Sequence, residues 1–205
     1  MIQFPGGSSV GRLLPKEEFY KRLNLSAELK DKFVSDIRRI TVENSLTENT
    51  LRLKPGTEVV EILVLALDLK IQAVDGRILE NIARQNKHHI LFWLRFEEKG
   101  QLALHINKLY KTEWQPLEAM QLETKGFTLD EVWSGYVEQI ALRDVPQHAV
   151  GAAPVTYRLR RQEDLLRLEK NIEKLEIAAR AEKQPKKKFE LAMQVQQLKR
   201  ELNEL

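Results

Sequence analysis

Asp68-Leu69-Lys70 lies near the end of a long apolar run that includes Glu61, and of all the patterns in the chain it has the most direct chemical use. On an extended strand an acid-x-Lys triplet puts carboxylate and ammonium on one face, because side chains alternate with a period of two. Metal-dependent nucleases of the restriction type use this pairing. Their carboxylates bind Mg²⁺, and the lysine steadies the attacking water or the phosphate. Glu61, Asp68 and Lys70 are the residues such a site would use, and Glu43, Glu48 and Glu58 are looser choices for the separate upstream acid. Mg²⁺ is a cofactor under this nuclease alternative alone. The competing reading places Asp68 and Lys70 where a strand emerges into water, and acid-x-Lys triplets are common enough to favour it.

Other catalytic signatures are missing from the sequence. Gly6-Gly7-Ser8-Ser9-Val10-Gly11 follows no strand pattern and opens onto no Lys-Ser/Thr pair, so it is not a phosphate-binding loop. There is no Gly-x-Ser-x-Gly elbow. Cysteine is absent, which removes disulfides, thiolate nucleophiles and Cys-ligated metals. His88 and His89 are adjacent and must point to opposite faces of a strand, so at most one could join His105. No metal site is expected. Trp93 and Trp133 sit in core-like patterns, whereas Tyr110, Lys111 and Trp114 could form an exposed recognition edge.

Charge is distributed unevenly. From Tyr157 to Leu205 there are 13 Lys/Arg against 9 Asp/Glu, and residues 1–156 carry 20 against 21. The basic character therefore belongs to the tail. Arg158, Arg160 and Arg161 precede one helical pattern there, and Lys186, Lys187 and Lys188 open another. These six are the candidate contacts to DNA or RNA phosphates, which give affinity without sequence specificity. The three lysines sit at a helix N-terminus, where the dipole disfavours cations, and this placement is what points to an external anion. A solvated helix face is the plainer explanation.

The elements that would position these residues can be sketched. Residues 1–14 read as a flexible arm and 15–145 as an α+β body. Ser26 caps a helix whose buried face is Leu29, Phe33, Ile37 and Ile40, and Thr50–Leu53 is a short strand. Val59–Ile71 is the main strand, Asp75 caps a helix to Arg84, and Ile90–Phe96 and Gln101–Asn107 form an antiparallel hairpin. Met120–Glu123 is a fourth strand. Thr128 with Glu131 makes a capping-box pattern ahead of Val132, Trp133, Tyr136, Val137 and Ile140. Residues 146–157 form a linker or loop, and 158–205 a two-helix basic tail.

In that tail Leu165, Leu168, Ile172, Leu175 and Ala179 repeat at spacings of three and four. Leu191, Val195, Leu198 and Leu202 do so in another phase. The phase slips at Lys183-Gln184-Pro185, where proline breaks a helix. The two seams are expected to close as a helical hairpin, to form a coiled coil with another chain, or to dock on the body.

Several segments together resemble a bacterial family known as domain of unknown function 4391 (DUF4391). They are Leu14-Pro15-Lys16 with Phe19-Tyr20, Leu29-Lys30 to Ile37, Glu61-Ile62-Leu63-Val64, His88-His89-Ile90-Leu91-Phe92, Tyr110-Lys111, and Lys188-Phe189-Glu190-Leu191 to Leu198-Lys199. The similarity covers nearly the whole chain. The family pattern has an Asn-Arg-Lys run where this chain has Gln184-Pro185-Lys186-Lys187. Such proteins are often encoded beside restriction-modification methyltransferases and helicases, which implies an accessory role in genome defence. The resemblance supplies no catalytic residues.

The expectation is therefore a mainly antiparallel α+β body followed by a helical hairpin or coiled coil. The expected function is that of a non-enzymatic accessory or scaffold subunit whose partner is a nearby methyltransferase or helicase, or a second copy of the chain. A stand-alone DNA- or RNA-binding module and the nuclease are the alternatives. A cytoplasmic protein is expected, because no leader pattern is visible and the richest apolar run is too short to span a bilayer.

Overall fold

The computed structural model describes residues 2–17, 21, 23–54, 56–143 and 153–204. It divides into two compact units, Met1–Asp144 and Val145–Leu205. The first is built on a seven-stranded sheet with strands β1 (Ser9–Leu14), β2 (Ile37–Thr47), β3 (Glu61–Leu69), β4 (His89–Phe96), β5 (Lys99–His105), β6 (Leu109–Lys111) and β7 (Gln115–Pro116). The order is β1-β2-β3-β4-β5-β6, with β7 also on β5. Every pairing is antiparallel except β3 with β4. That parallel pair requires a crossover, which helix α3 (Gly76–Arg84) supplies.

β3 is the central strand and is covered on both faces. Leu65, Leu67 and Leu69 join Ile40, Val42, Phe92 and Leu94 in one core with Leu29 and Phe33 of α1 (Ala27–Asp36) and with Ile78, Leu79 and Ile82 of α3. Val64 and Ala66 face the other way and are also fully buried, and the buried apolar stripe of α4 (Leu129–Ala141) packs near β3 and β5. Asp75 secures α1 to α3. It caps α3 by accepting from the Arg77 amide and pairs with Lys32 of α1 at 2.8 Å, while Arg77 reaches Glu28 of α1. The surrounding cations hold the Asp75 carboxyl well below the usual carboxylate range.

Several expectations need correction. Residues 1–14 are not a free arm, because Ile2 and Ser8 are buried and Ser9–Leu14 is an edge strand. Its alternation was masked by a register break between Ser9 and Arg12, where Gly11 adopts φ 63°. The Leu29-to-Ile40 helix stops at Asp36, and Ile37 and Ile40 are buried from strand β2 instead. The Ile-Arg-Arg-Ile-Thr-Val run favours the pleated state, and it pairs with β3. Thr50–Leu53 is not a strand. Thr47 and Thr50 cap one another across a single turn, α2 (Glu48–Leu51), which ends on left-handed Arg52. Met120–Glu123 is irregular, although Met120 is fully buried. It packs so closely on Gly100 of β5 that a Cβ there would collide with its sulfur.

In the second unit, α5 (Val155–Ala181) and α6 (Pro185–Glu204) pack as a hairpin. The linker expected at 146–157 falls partly outside the described residues, and its last three residues belong to α5.

Asp130, in the first turn of α4, anchors that helix to the segment entering β3. Its carboxylate accepts from the amides of Thr57 (2.5 Å), Glu58 (3.1 Å) and Val59 (2.7 Å), and from the Thr57 hydroxyl. These bonds, chiefly that from the Thr57 amide, pull its pKa from 3.8 to about 2. A depressed carboxyl pKa stabilises the fold above the unfolded value, and the gain disappears as pH falls through the folded value. Asp130→Asn is therefore expected to cost about 1–2 kcal/mol in urea denaturation at pH 7. The difference from the parent should shrink as pH falls from about 4 towards 2.

Candidate functional site

The strand directions bring one end of the sheet together. Leu14 of β1 sits opposite Ile40, Arg39 of β2 opposite Asp68, and Asp68 opposite Arg95 of β4. A cleft of about 1080 Å³ opens here. Its floor includes Leu14, Leu69 and Leu117, and its polar groups include Lys16, Arg38 and Arg39.

Asp68 organises this cleft. Its Oδ2 takes both the Nε (2.7 Å) and an Nη (2.6 Å) of Arg39, and its Oδ1 takes the Nε of Arg95 at 2.7 Å. Arg95 is fixed further by Glu43 at 2.9 Å and by stacking over the Trp93 ring at 5.1 Å. One carboxylate thus holds two guanidinium groups from the strands on either side, with charge-assisted bonds of short length. Lys16 donates to the Ile37 carbonyl at 2.7 Å, and Lys70 to the Val34 carbonyl at 2.8 Å. Burial, reinforced by the Lys70 charge, lowers the pKa of Lys16.

Of the nuclease candidates, Glu43 and Asp68 meet on Arg95, whereas Glu61 lies away from them. Glu61 opens β3 and Asp68 stands near its far end, roughly 23 Å away at strand rise. Glu61 instead bonds the Ser45 hydroxyl and pairs with His88 at 3.1 Å. The Lys70 ammonium is engaged with the backbone of α1. Among the described residues no group of three or more His, Asp or Glu is placed to hold a metal ion. His88 and His89 part company, for His89 packs edge-on against Trp133 at 4.8 Å, and burial lowers its pKa. Of the possible recognition edge, Trp114 packs against the core and Tyr110 lies under the Lys108 ammonium.

In the hairpin, Ile172 is buried, and Leu165, Leu168 and Leu175 on α5 and Leu191, Val195, Leu198 and Leu202 on α6 are partly buried. Lys199 of α6 reaches Glu176 of α5 at 2.7 Å. Pro185 occupies the first position of α6, as its missing amide favours. Arg158, Arg160 and Arg161 begin α5, and Lys186, Lys187 and Lys188 begin α6 with all three exposed. Most of the length of α5 separates the two clusters, by roughly 30–35 Å at helical rise, so they form no joint patch.

The sequence reading missed Lys16, Arg38, Arg39 and Arg95. Arg95 stands out as the one cation in the His89–Phe96 strand. Its pairing with Asp68, and that of Arg39, becomes visible only once β2 is recognised as a strand beside β3.

These features define a mixed α/β protein with an attached helical hairpin. The chain matches domain of unknown function DUF4391 over residues 2–202, and it belongs to that family. No curated protein and no solved structure matches it.

Two outcomes are expected. Asp68→Ala leaves two guanidiniums facing each other and should cost about 2–3 kcal/mol in urea denaturation. Adding Arg95→Met should recover part of that loss, so the double-variant cost falls below the sum of the single ones. Ile172→Ala should weaken the hairpin by about 2–3 kcal/mol, read as a lower midpoint for loss of helical circular dichroism.

Proposed function

We propose that this chain is a non-catalytic assembly subunit of a genome-defence complex in the cytoplasm, docking on a methyltransferase or helicase through its helical hairpin. The observation that carries the reading is a second apolar set on the hairpin. The seam residues are buried or partly buried. Yet Leu166 (53% exposed), Ile177 (59%), Phe189 (67%) and Met193 (52%) remain in water. Leu166 and Ile177 are eleven positions apart, about three full turns, and so share a face of α5, while Phe189 and Met193 share a face of α6. Apolar residues aligned in this way, unlike scattered ones, suit a partner helix laid along them. The methyltransferase or helicase identity comes from the implied genomic setting of the family. No helix among the described residues is long and apolar enough to cross a membrane.

The nuclease alternative has no comparable support, since Glu61 stands at the far end of β3 and both Asp68 and Glu43 are engaged by arginines. The tail-based nucleic-acid reading rests on two clusters at separate ends of α5.

The test is co-expression of the tagged chain with a methyltransferase or helicase encoded beside its gene, should one be found there, or else beside that of another DUF4391 protein, followed by nuclease treatment and size-exclusion chromatography. A stoichiometric complex that survives the nuclease is expected. Phe189→Glu with Met193→Glu should dissociate it while leaving the melting temperature unchanged. A monomer that ignores both enzymes, or a complex indifferent to the double variant, rejects the reading.

A further inference from the structure

The cleft at the end of the sheet has a composition that ordinary solvation does not require. Its lining includes five cationic side chains, Lys16, Lys21, Arg38, Arg39 and Arg95, against the three carboxylates of Glu17, Asp68 and Glu97. Residues 1–156 as a whole carry one more acid than base, so folding has gathered positive charge here from a region that has no excess of it. Lys70 lies close enough to add to the field felt by Lys16.

The donors are also preorganised. Asp68 and Glu43 fix the Arg95 guanidinium through Nε and Nη1, and its Nη2 has no partner among the described residues. Arg39 is held through Nε and one Nη, again by Asp68. Arg38 is exposed and has no ion-pair partner among the described residues. A planar fork locked on one edge, with donors left on the other, suits the tetrahedral oxygens of a phosphate better than a single point charge does. The remaining surface is apolar. Leu14, Pro15, Leu69 and Leu117 line the same cavity, whose volume is ample for a small organic ligand. A bare inorganic anion would gain nothing from that floor. A phosphate attached to a flat, partly apolar group would use both parts.

We propose that this cleft binds a nucleotidyl phosphate, with the guanidiniums of Arg38, Arg39 and Arg95 on the phosphate and the leucine floor under the base or sugar. Two sources share that chemistry, a free nucleoside phosphate and a nucleotide within a single strand. The proposal concerns the body alone and does not depend on the hairpin reading.

The test uses the full chain and 5′-fluorescein-labelled dT12 followed by fluorescence anisotropy at low salt, with AMP titrated both directly and as a competitor. Binding is expected, and Arg38→Glu should weaken it about tenfold. Arg38 is exposed and unpaired, so its melting temperature should stay at the parent value. Replacing Lys186, Lys187 and Lys188 together with alanine should leave affinity within about twofold of the parent. AMP that binds and displaces dT12 identifies a mononucleotide pocket. Binding of dT12 that AMP cannot displace identifies the strand as the source. Parent-like affinity in Arg38→Glu, loss of binding only in the triple-lysine variant, or absence of binding by both probes overturns the proposal.

Discussion

The burial of the middle of β3, from Val64 to Leu67, governs the rest of the body. A strand covered on both faces has no lateral outlet for polar groups, so charge on it must lie at its ends. Glu61 and Asp68 obey this rule at opposite ends. Because β4 runs parallel to β3, the α3 crossover brings both strands out at the same edge, and antiparallel β2 begins there too. Asp68 therefore meets Arg39 and Arg95 as a consequence of topology. A carboxylate in so confined a position needs compensation, and two neighbouring strands provide it.

The helices were largely legible because their signals are local. Asp75 and Thr128 cap as their positions suggest, and the stripes behind them are buried as their spacing requires. Glu131 departs in one detail, returning its carboxylate to the Phe127 amide instead of the Thr128 amide. The tail hairpin was legible for the same reason, since a three-four repeat needs no knowledge of the partner, and Pro185 marks the reversal chemically. β4 and β5 were legible as a hairpin because their connection is tight.

What failed was non-local. Leu29, Phe33, Ile37 and Ile40 fit a helix by spacing, yet Ile37 and Ile40 reach the same core from a strand. Both periodicities can bury that set, and the choice is made by pairing with β3. Overlooking β2 hid β1, its edge neighbour, and removed Arg39 from view as a partner for Asp68. The acid-x-Lys triplet consequently looked unpartnered, whereas Asp68 is held by two arginines and Lys70 by the Val34 carbonyl.

Counting charge along the chain misleads for a related reason. The sequence places the basic excess in residues 157–205, whereas the body is close to neutral. In the hairpin, the lysines of 186–188 project from a convex helix into water, where their separate fields are screened within about 8–10 Å at ordinary salt. In the body, Lys16, Arg38, Arg39 and Arg95 come from three separate stretches of chain and surround a concave space with apolar walls. Concavity and low-dielectric walls focus a field that the same charges could not create on an open surface. The excess of cationic side chains over carboxylates in this lining therefore arises in a segment whose linear charge predicts none, at the point where the topology required Asp68 to be neutralised.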